Sequence, residues 1–127
     1  MPLILDSGGL SRLAKRDRET AALIITLRRR GLWPPVVPTV VLVESLTGVP
    51  KKDVNTNRVL SACDIRPAVP ERVARRAAAL RTNARRGSAV DALVVAIAEP
   101  GGTVLTSDPV DLHALSADTA DVTIEGV

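Results

Sequence analysis

Thr103-Val104-Leu105-Thr106-Ser107-Asp108-Pro109-Val110-Asp111-Leu112 joins a short apolar run, after two intervening residues, to an acid and then to a helical pattern. Thr103–Leu105 reads as a strand and Asp108–Leu115 as a helix, with Asp108 before Pro109 in the ordinary position of an N-cap. The same grammar opens the chain, where Pro2–Leu5 reads as a buried strand meeting a loop at Asp6-Ser7-Gly8-Gly9. Val36-Val37-Pro38, Asp64-Ile65-Arg66 before Pro67, and Val122-Thr123-Ile124 read as three more brief strands.

Helical patterns lie between the strands. Leu10–Ala14 begins a short one, and Asp17–Arg30 sets Leu23, Ile24 and Leu27 on one face before Gly31 stops it. Thr39 is expected to cap a helix running to about Leu46, closed by Gly48 and Pro50. Asp53–Cys63 follows with Val54, Leu60 and Ala62 inward, then Pro70–Arg86 ended by Gly87. Ser88–Ala98 is nearly all apolar and is expected to be buried. Short apolar strands alternating with helices predict an α/β fold, a parallel sheet covered on both faces. No repeat and no linker interrupts it, so residues 1–127 form a single domain.

Composition narrows the function classes. Hydrophobic residues make up 46% of the 127, enough for a core and too many for a disordered chain. No apolar run approaches the ~18 to 20 residues of a membrane span. Met1-Pro2-Leu3-Ile4-Leu5-Asp6 has no basic segment and reaches an acid early, unlike a signal peptide. Cys63 is the one cysteine, which excludes an internal disulfide and a multi-cysteine zinc site. The expected location is a reduced cytoplasm. Net charge is +3; if four of the 14 acids share one site, ten face 17 Lys and Arg, leaving about +7 around it. Trp33 is the only aromatic residue, so base stacking on aromatic platforms is excluded and any nucleic acid is held by its backbone.

The alternation places four acids together. In an α/β sheet the ligand crevice forms at the carboxyl ends of the strands. Asp6 follows the first strand directly and Asp108 follows the fourth. Glu44 lies about one and a half turns into the helix leaving the second strand. Asp91 stands in the first turn of a helix antiparallel to the fourth strand, hence at the same edge. Asp111 is about one turn beyond Asp108, in a supporting position. Glu44 interrupts Val40-Val41-Leu42-Val43, and Asp91 is the only charge between Ser88 and Ala98, so both are expected to be buried. An unpaired buried carboxylate costs several kcal/mol and calls for a cation, a hydrogen-bond network or a proton. Oxygen ligands without His or Cys select a hard cation, Mg2+ or Mn2+. Such an ion binds a scissile phosphate and activates water, which is phosphodiester hydrolysis. Singly, each aspartate also has a structural reading: a strand end for Asp6, a capping box with Ser88 for Asp91, an N-cap for Asp108, and a helix-dipole partner for Asp111; Glu44, in an otherwise apolar stretch, is harder to read that way. Their convergence carries the metal reading.

Ile4-Leu5-Asp6-Ser7, Val43-Glu44-Ser45, Ser88-Ala89-Val90-Asp91-Ala92-Leu93 and Val104 to Leu112 resemble the motifs of PIN-domain ribonucleases. Their order and spacing, from about Leu3 to Leu115, resemble most the VapC-type toxins of bacterial toxin–antitoxin pairs. That resemblance implies a PIN-like three-layer sandwich with sheet order 3-2-1-4-5, a homodimer, and Mg2+- or Mn2+-dependent endoribonuclease activity. It also implies a cognate antitoxin that blocks the acidic site. Asp6, Glu44, Asp91 and Asp108 would be catalytic and metal-binding, with Asp111, Ser7, Thr106 and Ser107 in support. Ser7-Gly8-Gly9 departs from the Thr-Asn that many members carry, leaving Ser7 as the nearest substitute for a water-orienting side chain.

Arg85 and Arg86 precede the helix of Asp91 and are the expected RNA contacts, whereas Arg75, Arg76 and Arg81 read as a solvated helix face. His113 reads as a surface residue, Trp33 as a core or interface plug, and Cys63 as buried and inert. A PIN-type nuclease acting in RNA processing without an antitoxin is the nearest alternative. A non-catalytic PIN-like binding module is another. A phosphoacceptor domain would need an acceptor Asp just after the third strand and a Lys after the fifth, and has neither. A haloacid-type phosphatase would need Asp-x-Asp where Asp6-Ser7-Gly8 stands.

Overall fold

The computed structural model describes residues 2–127. Five short strands form one parallel sheet: β1 (Leu3–Leu5), β2 (Val36–Pro38), β3 (Asp64–Arg66), β4 (Thr103–Thr106) and β5 (Thr123–Gly126). Their order is β3-β2-β1-β4-β5, the PIN-like arrangement. Seven helices connect and flank them: α1 (Ser7–Ala14), α2 (Arg18–Arg29), α3 (Thr39–Ser45), α4 (Pro50–Leu60), α5 (Glu71–Ala84), α6 (Ala89–Ala98) and α7 (Pro109–Ser116).

The order explains the layers. From β1 the chain steps through β2 to β3, then crosses to β4 and steps outward to β5. Right-handed crossovers in opposite directions put α1–α4 on one face and α5–α7 on the other. In agreement, α1 packs on α2, α3 and α4, while α6 packs on α5 and α7. The central strands are buried along their whole length, and Leu3, Ile4, Leu5, Val37, Val104 and Leu105 form the middle of the core. The edge strand β3 is exposed throughout. The order in which strands are added reverses between the parallel β1 and β4, which pair through Leu3–Thr103, Ile4–Val104 and Leu5–Leu105. Asp6 and Ser107 thus emerge side by side.

Several boundaries differ from expectation for identifiable reasons. Ser7-Gly8-Gly9 is the first turn of α1, not a loop. A Cβ on Gly9 would collide with the Leu105 carbonyl and one on Gly8 with Ser107. The glycines allow a helix to start flush against the neighbouring strand. Thr39 is not a cap: its hydroxyl donates to the Pro67 carbonyl, and Pro38 holds the N-cap position without a side-chain bond. Helix α4 starts at Pro50, and its inward face is set by Asp53, which is 5% exposed. Asp53 accepts the Thr47 and Gly48 N–H groups and the Thr47 hydroxyl, tying down the α3–α4 loop. These bonds, led by the Thr47 N–H, hold its carboxyl below the usual carboxylate range. Val54 and Ala62 consequently face solvent, while Val59 and Leu60 are buried. Helix α5 ends at Ala84, with Arg85 in the left-handed region (φ 55°).

Candidate active site

Asp6 leaves β1 and becomes the N-cap of α1. Its Oδ1 accepts the Gly9 N–H at 2.7 Å and its Oδ2 accepts the Thr106 hydroxyl at 2.6 Å. It is only 7% exposed. Burial raises its carboxyl above the ordinary value, against the pull of those two hydrogen bonds, and the nearby Asp91 carboxylate adds to the rise. Thr106, the last residue of β4, is fully buried and also accepts the Asp108 N–H at 3.0 Å. One hydroxyl therefore links the ends of the two central strands.

Asp91 is half-buried at the start of α6. It forms a reciprocal capping box with Ser88: its N–H donates to Ser88 Oγ at 3.0 Å, and its Oδ2 accepts the Ser88 N–H at 3.2 Å. The cap reading is correct for this residue, and the box also leaves Asp91 lining the cavity at the strand ends. Asp108 holds the N-cap position of α7 without a side-chain cap bond, and it is exposed. Asp111, one turn on, accepts Arg86 Nε at 2.6 Å.

Asp6, Asp91, Asp108 and Asp111 line one polar cavity of about 160 Å3, together with Ser7, Gly8, Thr106 and Ser107. Neither Lys nor Arg is in its lining. Glu44 is not part of it. It stands in the last turn of α3, exposed rather than buried, and lines an adjoining cavity of about 350 Å3 that shares Ser7, Gly8 and Ser107 with the first. The burial expected from its apolar neighbours fails because α3 buries only Val41, leaving Val43 83% exposed. The hydroxyls of Ser11, Ser45 and Thr56 around Glu44 were not singled out from the sequence. Ser7 and Ser11 are four residues apart on α1, a signal hidden while its first turn read as a loop.

The donor set suits a hard cation: carboxylates and hydroxyls alone, in a cavity whose most buried carboxylate, Asp6, has its charged form disfavoured by burial. Among the described residues, however, no three carboxylate, His or Cys groups are close enough to hold an ion at once.

Of the expected RNA contacts, Arg85 is exposed at the end of α5, while Arg86 is paired with Asp111 at the cavity rim. Arg76 is no free solvated side chain, since it donates to Glu99 and to the Asp118 carbonyl. Trp33 is half-buried against the core, with the Arg28 guanidinium 5.1 Å from its ring centre. Cys63 is half-buried, and burial pushes its thiol up to about 11. His113 is exposed.

No family profile matches the chain, and no curated protein matches it in sequence. Solved structures match it in fold. VapBC2 from Rickettsia felis, bound to a DNA fragment from its promoter, superposes with a TM-score of 0.73 at 12% identity, covering 100% of this chain and 99% of the other. A toxin–antitoxin complex from Klebsiella pneumoniae gives 0.66 at 21% identity, covering 98% and 99%. A protein from Pyrobaculum aerophilum gives 0.62 at 16% identity, covering 98% and 92%. The chain shares its fold with these structures over essentially its full length.

Proposed function

We propose that the chain is a metal-dependent endoribonuclease acting as the toxin of a toxin–antitoxin pair. The observation that carries the reading is the cavity between β1 and β4, lined by four aspartates of which only Asp111 has a cationic partner, Arg86 at the rim. Asp6, Asp91 and Asp108 are the residues that would hold Mg2+ or Mn2+, with Asp111 in support. Bound there, the ion supplies Lewis-acid activation of a phosphodiester and of water. The chain's own part is positioning. Thr106 fixes the Asp6 carboxylate, and the Ser88 box fixes the first turn of α6. Ser7 and Ser107, on the cavity wall, are placed to orient water or a phosphate oxygen by hydrogen bonds. Arg85 and Arg86 bring positive charge to the approach, favouring a polyanion.

Two of the matching structures are toxin–antitoxin assemblies. On that support we propose an antitoxin as partner; the homodimer and the cytoplasm are proposed from the sequence resemblance and composition alone. Among the described residues no helix is long and apolar enough to cross a membrane. The second reading, a non-catalytic PIN-like module, is favoured by one observation: no three acids stand close enough for an ion.

One assay separates them. Purified chain is incubated with structured RNAs in Mg2+, Mn2+ or EDTA beside Asp91→Asn. Metal-dependent cleavage lost in the variant is the expected result. Cleavage equal in both proteins would remove the site assignment, and no metal binding at all would favour the non-catalytic module.

A further inference from the structure

Ser7 and Ser11 lie four residues apart on one face of α1, and Lys15 follows four residues further at its C-cap. Ser7 belongs to the wall shared by the two cavities, and Ser11 lines the larger one. Across from them α4 packs against α1, contributing Thr56 to the same cavity. Two residues on, Arg58 of α4 donates to the Ala14 carbonyl at 3.3 Å. The two helices thus flank one furrow that leaves the acidic site between hydroxyls and ends at this contact. On its wall Ser45 Oγ is buried without a hydrogen-bond partner among the described residues, a standing cost that a polar occupant relieves. The far end of the furrow is basic. Lys15, Arg16 and Arg18 are exposed, and among the described residues their side chains have no hydrogen-bond or ion-pair partner. The acids beside them are engaged: Asp17 caps α2 through the Thr20 N–H, and Glu19 pairs with Arg12. Elsewhere Arg30, Arg66, Arg75, Arg76 and Arg86 each hold an acid of their own.

We propose that the RNA flanking the scissile phosphate runs along this furrow, and that Lys15, Arg16 and Arg18, joined by Arg58, hold its backbone at the far end. This rests on RNA being the substrate and leaves Glu44 with the acids of the cleavage site. From Ser7 to Lys15 the helix rises about 12 Å, the length of roughly three to four stacked nucleotides at ~3.4 Å each. Along the way the hydroxyls of Ser11 and Thr56 can donate to phosphate oxygens and accept from a ribose 2′-OH. Contacts of this kind position a strand and read no base. That agrees with a furrow lined by no aromatic residue, in which bases have nothing to stack on. The basic corner also answers a problem of the acidic site, which repels the polyanion it would cut. Attraction at a remote part of the strand supplies the binding that brings a phosphate to the aspartates.

The test is fluorescence anisotropy of the whole chain in Ca2+, a hard cation that offsets the aspartates, with fluorescein-labelled tetrauridylate and dodecauridylate. The longer oligomer is expected to bind wild type the more tightly. Lys15→Gln with Arg16→Gln should weaken the dodecamer about tenfold and leave the tetramer within about twofold. The same variant should flatten the dodecamer's salt dependence by about 1.4 in slope, the share of two phosphate contacts on a single strand. Lys15→Arg with Arg16→Lys should restore both, which a folding defect would not. Arg72→Gln with Arg75→Gln takes the same charge from α5 and should change neither oligomer. Dodecamer binding that survives Lys15→Gln with Arg16→Gln overturns the proposal, and so does an equal loss in the α5 pair. Cleavage by the same proteins in Mg2+ separates this from the nuclease reading. Affinity that depends on the corner without cleavage loses only the nuclease, and cleavage with affinity indifferent to the corner loses only the furrow. No binding of either oligomer loses both.

Discussion

At Asp6 one carboxylate caps a helix, accepts the Thr106 hydroxyl and faces Asp91, while burial has removed the water that would carry its charge. Its folded pKa is raised, so its stabilising contribution is complete below the unfolded value near 3.8 and is lost as pH rises through the folded value. At neutral pH the ionised group is a liability without a cation. Asp6→Asn keeps an oxygen for the Gly9 N–H and removes the charge. In EDTA the variant should melt above wild type at pH 7, with the gap closing on acidification. A variant that melts lower at pH 7 would show that capping and hydrogen bonding outweigh the charge. Thr106→Val tests the other half of the pair. It keeps the shape but strips Asp6 Oδ2 and the Asp108 N–H of their partner, a loss of about 1 to 3 kcal/mol. Urea unfolding should show a lower midpoint at unchanged slope, and Thr106→Ser should recover most of it.

Helix α1 shows why local preference misjudged an element. Two glycines near its start argue for a loop, because glycine disfavours helix interiors. What overrides that preference is the contact a side chain would make with the Leu105 carbonyl. Gly9→Ala, which in an exposed helix would gain about 1 kcal/mol, should here cost about 1 to 3 kcal/mol by overpacking. Chemical denaturation reads the sign directly, and a stabilised variant would mean that α1 shifts freely off β4. Helix α4 carries the same lesson. Its hydrophobic pattern pointed to Val54, but the three groups that Asp53 satisfies in the preceding loop rotate the helix by their own geometry. Periodicity finds that a segment is helical more readily than which face turns inward, because a buried polar network leaves no apolar signature. Helix α6 was legible in both respects, since Ser88 and Asp91 mark its start and apolar residues fill the rest.

For the whole molecule, the parallel sheet followed from the alternation of strands and helices, and its order from the family resemblance. The meeting of Asp6, Asp91 and Asp108 at one edge followed from chain direction. A residue just after a parallel strand must emerge at its carboxyl edge, and a returning helix must begin there. Glu44 escaped that logic because its place depends on how far α3 is buried, and a two-turn helix with one buried residue leaves most of itself in solvent. The four aspartates of the cavity come from the end of β1, the start of α6 and the start of α7. No three of them are close enough to share an ion as they stand. Coordination would therefore have to draw the starts of α6 and α7 toward β1, and cation binding should be felt as a stiffening across three elements. Mg2+ or Mn2+ should raise the melting temperature, with a stabilisation of about 2.7 kcal/mol at a hundredfold excess over its dissociation constant. Amide exchange should slow at Ser88–Asp91 and at Asp108–Asp111 in the same titration. Asp91→Asn and Asp108→Asn should each remove both effects. If the melting temperature rises equally in wild type and both variants, the ion binds elsewhere, and the cavity between β1 and β4 is a capped strand edge rather than a metal site.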